Sequence, residues 1–460
     1  LTVVPSFYFN LLFRVGITAS ADDGIRLWVN GVKIIDSWAY SPYPRYGKLR
    51  LEANKPYSIR IDYHEGVVGA SFRLYWQSRL QTREIVSTLS TSPGLAEGLS
   101  ATLPLKDLAY ARGIVIGGAL EPDPLLPGTP RYEPLYRQTA QREFSFMAPD
   151  GDFSISDTHS PNAPYAMLPT LPLLDAQVNF ARQNGARVQA FHIAWYRESL
   201  WLTYLNEIPE AQRWDFLAQH IRDLMTRYKG KAKYYNVVNE AFDEYGNIRP
   251  EKIDENPVTG EYAGINWLAY AGKDYIEKSF RLAHEVDPTA KLVYNDYELE
   301  YNDDGSNTSA KWEAVLAMVK DFKARGVPIH AVGFQGHHTL GYRLPDPAIL
   351  AERFRILRGL GIEVSITEFD ASIDTIGNLE GMSLQERLAL QAQYYKAHLN
   401  VCLAAPNCTG FQTWGFTDKY TWYIDPNNPY ASSEARPLIY DTNYRPKPSY
   451  YALRDALRGR

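Results

Sequence analysis

Cysteine is nearly missing from this 460-residue chain, which holds only Cys402 and Cys408 and so has no disulfide framework to build on. Long apolar runs are missing too. None reaches the ~20 residues that a bilayer-crossing helix requires, and the start is not signal-like. The chain is therefore expected to lack a membrane span, with any export signal absent or already removed. Strong charge of one sign is also lacking. The net charge is −5, and Lys and Arg are scattered rather than gathered into a stripe, which argues against nucleic acid as a partner.

Aromatic residues are abundant, with 33 Tyr and 10 Trp. Flat rings with a polar edge suit sugars, whose C–H faces stack while their hydroxyls hydrogen-bond, although most such rings in any protein are core. The two cysteines flank "LAAPN", a short loop that either brings the sulfurs together as a disulfide or leaves two buried thiols.

The chain is too long for one ordinary core, whereas one α/β barrel absorbs about 250 residues or more, so a large domain plus a smaller one is expected. Residues 1–90 alternate in short runs such as "IRLWVNGVKIID", "YSIRIDYHE" and "ASFRLYWQS", punctuated by turn signals, which reads as an antiparallel β-sandwich. Residues 91–104 continue a stretch rich in Ser, Thr, Gly and Pro and read as a linker. Residues 105–460 then repeat an apolar β-branched run, a polar loop and an amphipathic helix. The candidate strands are "GIVIGGA", "FSFM", "RVQAFHI", "YYNVVNE", "KLVYND", "AVGFQGH", "EVSITEFD" and "GFQTWGF", with helical segments such as "AQRWDFLAQHIRDLMTRY", "DYIEKSFRLAHEV", "AKWEAVLAMVKDFKARG" and "SLQERLALQAQYYKAHLNVCLA" between them. The fold class expected is α/β: a (β/α)8 TIM barrel with a smaller N-terminal antiparallel β-sandwich domain.

Barrel chemistry sits at the C-terminal strand ends, and a glutamate stands at that end in two of these runs, Glu240 in "YYNVVNE" and Glu368 in "EVSITEFD". One carboxylate alone is more often an ion-pair partner. Two in matched settings fit glycosidic hydrolysis, in which a protonated acid assists the leaving oxygen and an ionised one attacks the anomeric carbon. Asn239 is placed to hold a sugar 2-hydroxyl, and His337 and Asp370 to keep Glu368 ionised and oriented.

These segments resemble glycoside hydrolase family 10, the endo-β-1,4-xylanase family. "RYKGKAKYYNVVNEAFDEYG" is similar to its acid/base segment and "VSITEFD" to its nucleophile segment, while "AKLVYNDYELE", "GVPIHAVGFQGHH" and "CTGFQTWGFTDKYTWY" follow in the family's order. The resemblance implies a retaining double displacement with Glu240 as acid/base and Glu368 as nucleophile, and no cofactor or metal at the site. It places Asn239 on the 2-hydroxyl, Gln335 and His337 beside the nucleophile, and Trp195, Trp414 and Trp422 as walls of the cleavage subsite. Cys402 and Cys408 fall where many members carry a disulfide.

Departures from the family pattern are confined to two places. At the Glu-Asn-x-Met-Lys motif after the second strand this chain has "MAPDGDFSISD", with Asp150, Gly151 and Ser154 at the Glu, Asn and Lys positions. At the third strand "FHIAWY" puts Phe191 at a histidine position and His192 one place later, so either that sugar position is substituted, inverted or turned elsewhere, as in a decorated or atypical substrate, or His192 or Asp152 takes over the contact. Residues 1–90 resemble the second half of a PA14 domain, so the chain reads as a processed or truncated form. In lectin-like members an Asp-Asp pair binds calcium with a sugar, which nominates Asp22 and Asp23; most Asp-Asp-Gly stretches are turns.

The function expected is a secreted, extracellular, retaining endo-glycosidase acting on a β-linked polysaccharide, of xylan type but with unusual glycone subsites. The alternatives are a β-glucanase or other β-glycosidase of the same mechanism, and an inactive carbohydrate-binding protein. A further carbohydrate or cell-surface contact through the N-terminal domain is a possible partner interaction.

Overall fold

The structure is a computed structural model. It describes residues 5–7, 13–21, 24–29, 31–38, 45–51, 57–64, 72–78, 81–85 and 92–93, and everything from 103 on except 151–152, 161–162, 169–170, 197–207, 250–266, 303–308, 343, 426–430 and 460. Backbone packing divides the chain into two compact units, Leu1–Gly113 and Ile114–Arg460.

The larger unit is built on eight parallel strands: β1 (Val115–Leu120), β2 (Phe146–Pro149), β3 (Arg187–Ala190), β4 (Tyr234–Asn239), β5 (Lys291–Asp296), β6 (Ala331–Phe334), β7 (Glu363–Ser372) and β8 (Cys408–Thr413). Neighbours in sequence pair in parallel, and β8 pairs with β1, so the sheet closes and no edge remains. Every residue of β4 is buried, as expected of a strand covered by helices outside and packed side chains inside. Part of that interior is polar but paired: Gln412 donates to Gln189 at 2.9 Å, and Gln189 donates to Asn236 at 2.7 Å.

All eight candidate strands are present, and four end earlier than their sequences suggest: β4 by one residue, at Asn239, and β3, β6 and β8 by three, at Ala190, Phe334 and Thr413. After Ala190 the chain loops out at Phe191 and His192, whose peptide bond is cis, and rejoins β4 when Ile193 N–H donates to Asn236 at 2.9 Å. After Phe334 the chain turns through Gly336 at φ +79°, in the left-handed region, and a β-carbon there would crowd the Phe369 ring at 3.0 Å. His337 then opens a short strand, His337–Thr339, that runs parallel to the end of β7 with His337 opposite Asp370.

The four helices legible from periodicity are Arg213–Tyr228, Tyr275–Val286, Ala310–Ala324 and Leu384–Ala404. Ser309 caps the third, and Ser383 with Glu386 forms a capping box on the fourth. Four more, Pro134–Glu143, Pro172–Gln183, Pro347–Gly359 and Pro448–Arg458, each open on proline, where a missing N–H leaves no helical bond unmade. Cys402, near the end of helix Leu384–Ala404, and Cys408, at the start of β8, form a disulfide with Cα atoms 5.3 Å apart.

In the smaller unit Phe13–Ala21 lies antiparallel between Arg45–Leu51 and Phe72–Ser78 in a four-stranded sheet. Gly24–Val29 lies antiparallel between Val32–Ser37 and Tyr57–His64 in a five-stranded one. Ile25, Leu27, Val29 and Ile35 are buried, the inward side of the alternation read from "IRLWVNGVKIID". Asp22 and Asp23 lie outside the described residues, as do Gly151 and Asp152. Among the described residues no helix is long and apolar enough to cross a membrane.

Candidate active site

Glu240 is the first residue beyond β4, held in the left-handed region at φ +52° and only 7% exposed. A side chain with a β-carbon is disfavoured there, so surrounding bonds must fix the turn. Glu240 N–H donates to the Asn295 carbonyl at 2.9 Å, and its own carbonyl accepts from Arg249 Nε at 2.8 Å. The carboxylate then accepts from Trp195 Nε1 on Oε2 at 2.9 Å and from Gln335 Nε2 on Oε1 at 2.8 Å.

Glu368 is 4% exposed and lies within β7, where the pairing with β8 shifts register between Ile366 and Phe369. Its Oε1 accepts from Asn295 Nδ2 at 2.7 Å, and its Oε2 sits 3.1 Å from His337 Nε2. The other ring nitrogen of His337 is 2.9 Å from Asp370 Oδ2, which also accepts from Trp422 Nε1 at 2.7 Å.

The two carboxylates are joined through amides. Asn295 Nδ2 also donates to Asn239 Oδ1 at 2.8 Å, and Gln335 Nε2 lies 3.5 Å from that same oxygen. One row of contacts thus runs Trp195, Glu240, Gln335, Asn239, Asn295, Glu368, His337, Asp370, Trp422. Asn239 Nδ2 is buried and has no hydrogen-bond partner among the described residues, so one strong donor in the row is left over.

Charge is distributed unevenly along this row. Burial raises the Glu368 pKa and the charge of Glu240 adds to that, while His337 and the Asn295 amide pull it back, leaving it above the ordinary glutamate range. Burial alone would lower the His337 pKa. The Asp370 charge and bonds to Asp370 and Glu368 reverse this and hold the imidazole protonated well above its usual range. His192, by contrast, is driven down to about 4 by burial, against the opposing charge of Glu240, and is neutral at neutral pH.

The aromatic residues wall this row. Trp422 meets the His337 ring edge-on with centroids 5.4 Å apart, and Trp414 lies between His337 at 6.4 Å and Phe191 at 5.4 Å. His192 lies against Trp195 at 4.8 Å. Glu240, Glu368, Asn239, Trp195, Gln335, His337, Trp414, Trp422, Asp370 and His192 therefore meet in one place, while the other nominees, Asp152, Asp22 and Asp23, lie outside the described residues. Of the departing residues, Phe191 is fully buried, whereas Ser154 caps the short helix Ile155–Thr158 and donates to Asp157 at 2.7 Å.

Sequence reasoning passed over Asn295, which touches both Asn239 and Glu368. The signal was present, since "KLVYND" ends an apolar run on a polar pair just as "YYNVVNE" does. Gly333 on the neighbouring strand makes the placement possible, because a β-carbon there would fall 2.1 Å from Asn295 Oδ1. Arg249 and Trp267, whose Nε1 donates to the Trp195 carbonyl at 2.9 Å, were passed over as well.

Comparison with known proteins gives this arrangement its setting. The family model for glycosyl hydrolase family 10 matches residues 104–456, and that for the PA14 domain matches 16–89. A beta-1,4-xylanase of Dictyoglomus thermophilum is 33% identical over 323 residues, covering 69% of this chain and 83% of the relative. An endo-1,4-beta-xylanase B of Thermotoga neapolitana is 31% identical over 323 residues, covering 70% and 83%. The crystal structure of native xylanase 10B from Thermotoga maritima superposes with a TM-score of 0.65 at 29% identity, covering 78% of this chain and 98% of that one. The closed barrel, the paired carboxylates and these matches agree: the chain belongs to glycosyl hydrolase family 10, a family of glycoside hydrolases, and carries a PA14 domain ahead of the barrel.

Proposed function

We propose that the protein is a secreted, retaining endo-xylanase in which Glu368 is the nucleophile and Glu240 the acid/base. The observation that carries this reading is the unequal supply of hydrogen bonds to the two carboxyl groups. Glu240 takes neutral indole and amide donors, whereas Glu368 faces the imidazolium of His337. Two carboxyls in one buried site, one of them bonded through its carboxylate oxygen to a protonated imidazole, divide into a proton donor and an ionised attacker.

In the first step a Glu368 oxygen bonds to the anomeric carbon as the glycosidic C–O bond breaks, and Glu240 gives its proton to the departing oxygen. In the second, water attacks that carbon, the ester bond to Glu368 breaks, and Glu240 takes the proton from the water. Asn239 Nδ2 donates to the sugar 2-hydroxyl, a use that accounts for its lack of a partner among the described residues. Retention requires the carboxyl groups to stand about 5 to 5.5 Å apart. The anomeric configuration of the first product from linear β-1,4-xylan, read by NMR, tests this: the β-anomer is expected, and the α-anomer would mean inversion.

The glycone side supports a narrower substrate reading. Where the family supplies Lys and His to the sugar 3-hydroxyl, this chain has Ser154, which is engaged with Asp157, and the apolar Phe191 against Trp414. Losing both donors suits a sugar whose 3-hydroxyl is substituted or turned elsewhere, because a buried hydroxyl left unpaired costs about 1 to 3 kcal/mol. The enzyme is then expected to prefer decorated arabinoxylan to plain linear xylan. A higher kcat/KM on undecorated xylo-oligosaccharides would end that reading. Secretion is supported by the Cys402–Cys408 disulfide, which persists in oxidising surroundings, and is checked by locating the protein in the culture medium of the producing cells.

A further inference from the structure

The segment that follows Glu240 doubles back on it. Residues 241–249 form a tight return closed by a bridge between Phe242 and Ile248, and the Asp243 carboxylate accepts from Tyr245 N–H at 3.0 Å and Asn247 N–H at 2.8 Å. This brings Arg249 beneath the acidic residue. Arg249 N–H donates to the Ala241 carbonyl at 2.9 Å, and its Nε donates to the Glu240 carbonyl at 2.8 Å.

The guanidinium is itself immobilised. It lies 4.2 Å from the centre of the Tyr196 ring, and Nη2 donates to Tyr297 Oη at 2.6 Å. Tyr297 Oη in turn donates to Glu244 Oε1 at 2.5 Å. A planar fork held between two tyrosines has little freedom, so the direction of its Nε–H is fixed. The group it grips is the main chain of the residue whose left-handed turn carries the side chain away from the line of β4.

We propose that Arg249 is a positioning residue for proton transfer: by clamping the Glu240 carbonyl it fixes the left-handed turn, and through it the aim of the carboxyl group at the glycosidic oxygen. The inference rests on the reading of Glu240 as acid/base. It concerns aim, not binding, because misplacing a catalytic group by about 1 Å costs about 10²-fold in rate. A substrate that needs no proton should be indifferent to the clamp.

The test compares Arg249→Met with the unaltered full chain on two aryl or alkyl xylobiosides, one with a dinitrophenyl leaving group and one with a simple alcohol. For the alcohol, kcat/KM should fall about 10²-fold, while for the dinitrophenyl compound it should stay within about threefold. Tyr297→Phe, which removes the acceptor of Nη2, should show the same asymmetry in smaller measure, and it serves where the Met variant does not fold. Parallel loss on both substrates, in whichever variants fold, overturns the proposal. Glu240→Ala, run alongside, separates the two failures: if it too loses both substrates equally the acid/base reading has failed, and if it keeps the dinitrophenyl reaction only the role of Arg249 has.

Discussion

At the scale of single residues, His337 sets the condition of the nucleophile. It is the cation beside Glu368, and burial has already raised that carboxyl. His337→Gln removes the charge and keeps a donor, so Glu368 should ionise only at higher pH. Because the nucleophile works ionised, the acid limb of kcat/KM should move up by about one pH unit. A limb that stays in place or moves down would show that the histidine does not hold the charge. Glu240→Ala should lose natural substrates but keep those with very good leaving groups, and added azide should restore its turnover. Equal loss on both kinds of substrate would contradict the assignment. The carboxylates were legible because each interrupts an apolar run, Glu240 just past the end of β4 and Glu368 inside β7, which continues to Ser372. Asn295 and Arg249 were not singled out, since their roles come from the register between β4 and β5 and from a loop that folds back, neither of which periodicity carries.

Among elements, the strands were read best, because parallel strands buried on both faces are near-continuous apolar runs. The places where the reading overran, after Ala190, Asn239, Phe334 and Thr413, are where the backbone leaves strand geometry next to site residues His192, Glu240, Gln335 and Trp414. The four larger helices not named from the sequence each open on a proline at the first turn, and at 10 to 13 residues they are shorter than three of the four that were named. The disulfide ties helix Leu384–Ala404 to the strand beside the one bearing Glu368. Replacing both cysteines by alanine should lower unfolding stability by about 2 kcal/mol, since the bridge closes a short loop, and leave kcat nearly unchanged at low temperature. Urea titration measures the first effect, and a change under about 0.5 kcal/mol would show the bridge to be incidental.

For the whole molecule, every residue of the contact row falls within the unit Ile114–Arg460. Removing residues 1–90 should therefore leave hydrolysis of small soluble xylosides intact and reduce, if anything, only retention on insoluble polysaccharide. A folded truncation that had lost turnover of small substrates would place part of the chemistry in the smaller unit. The more central claim is that Glu368 forms a bond to sugar during turnover. It is tested most directly by treating the full chain with a dinitrophenyl 2-deoxy-2-fluoroxylobioside, whose fluorine slows the second step, and mapping the adduct by peptide mass spectrometry. One 2-deoxy-2-fluoroxylobiosyl group attached at Glu368, with activity lost in parallel, is the result expected; inactivation without an adduct, or an adduct at any other residue, would contradict the account.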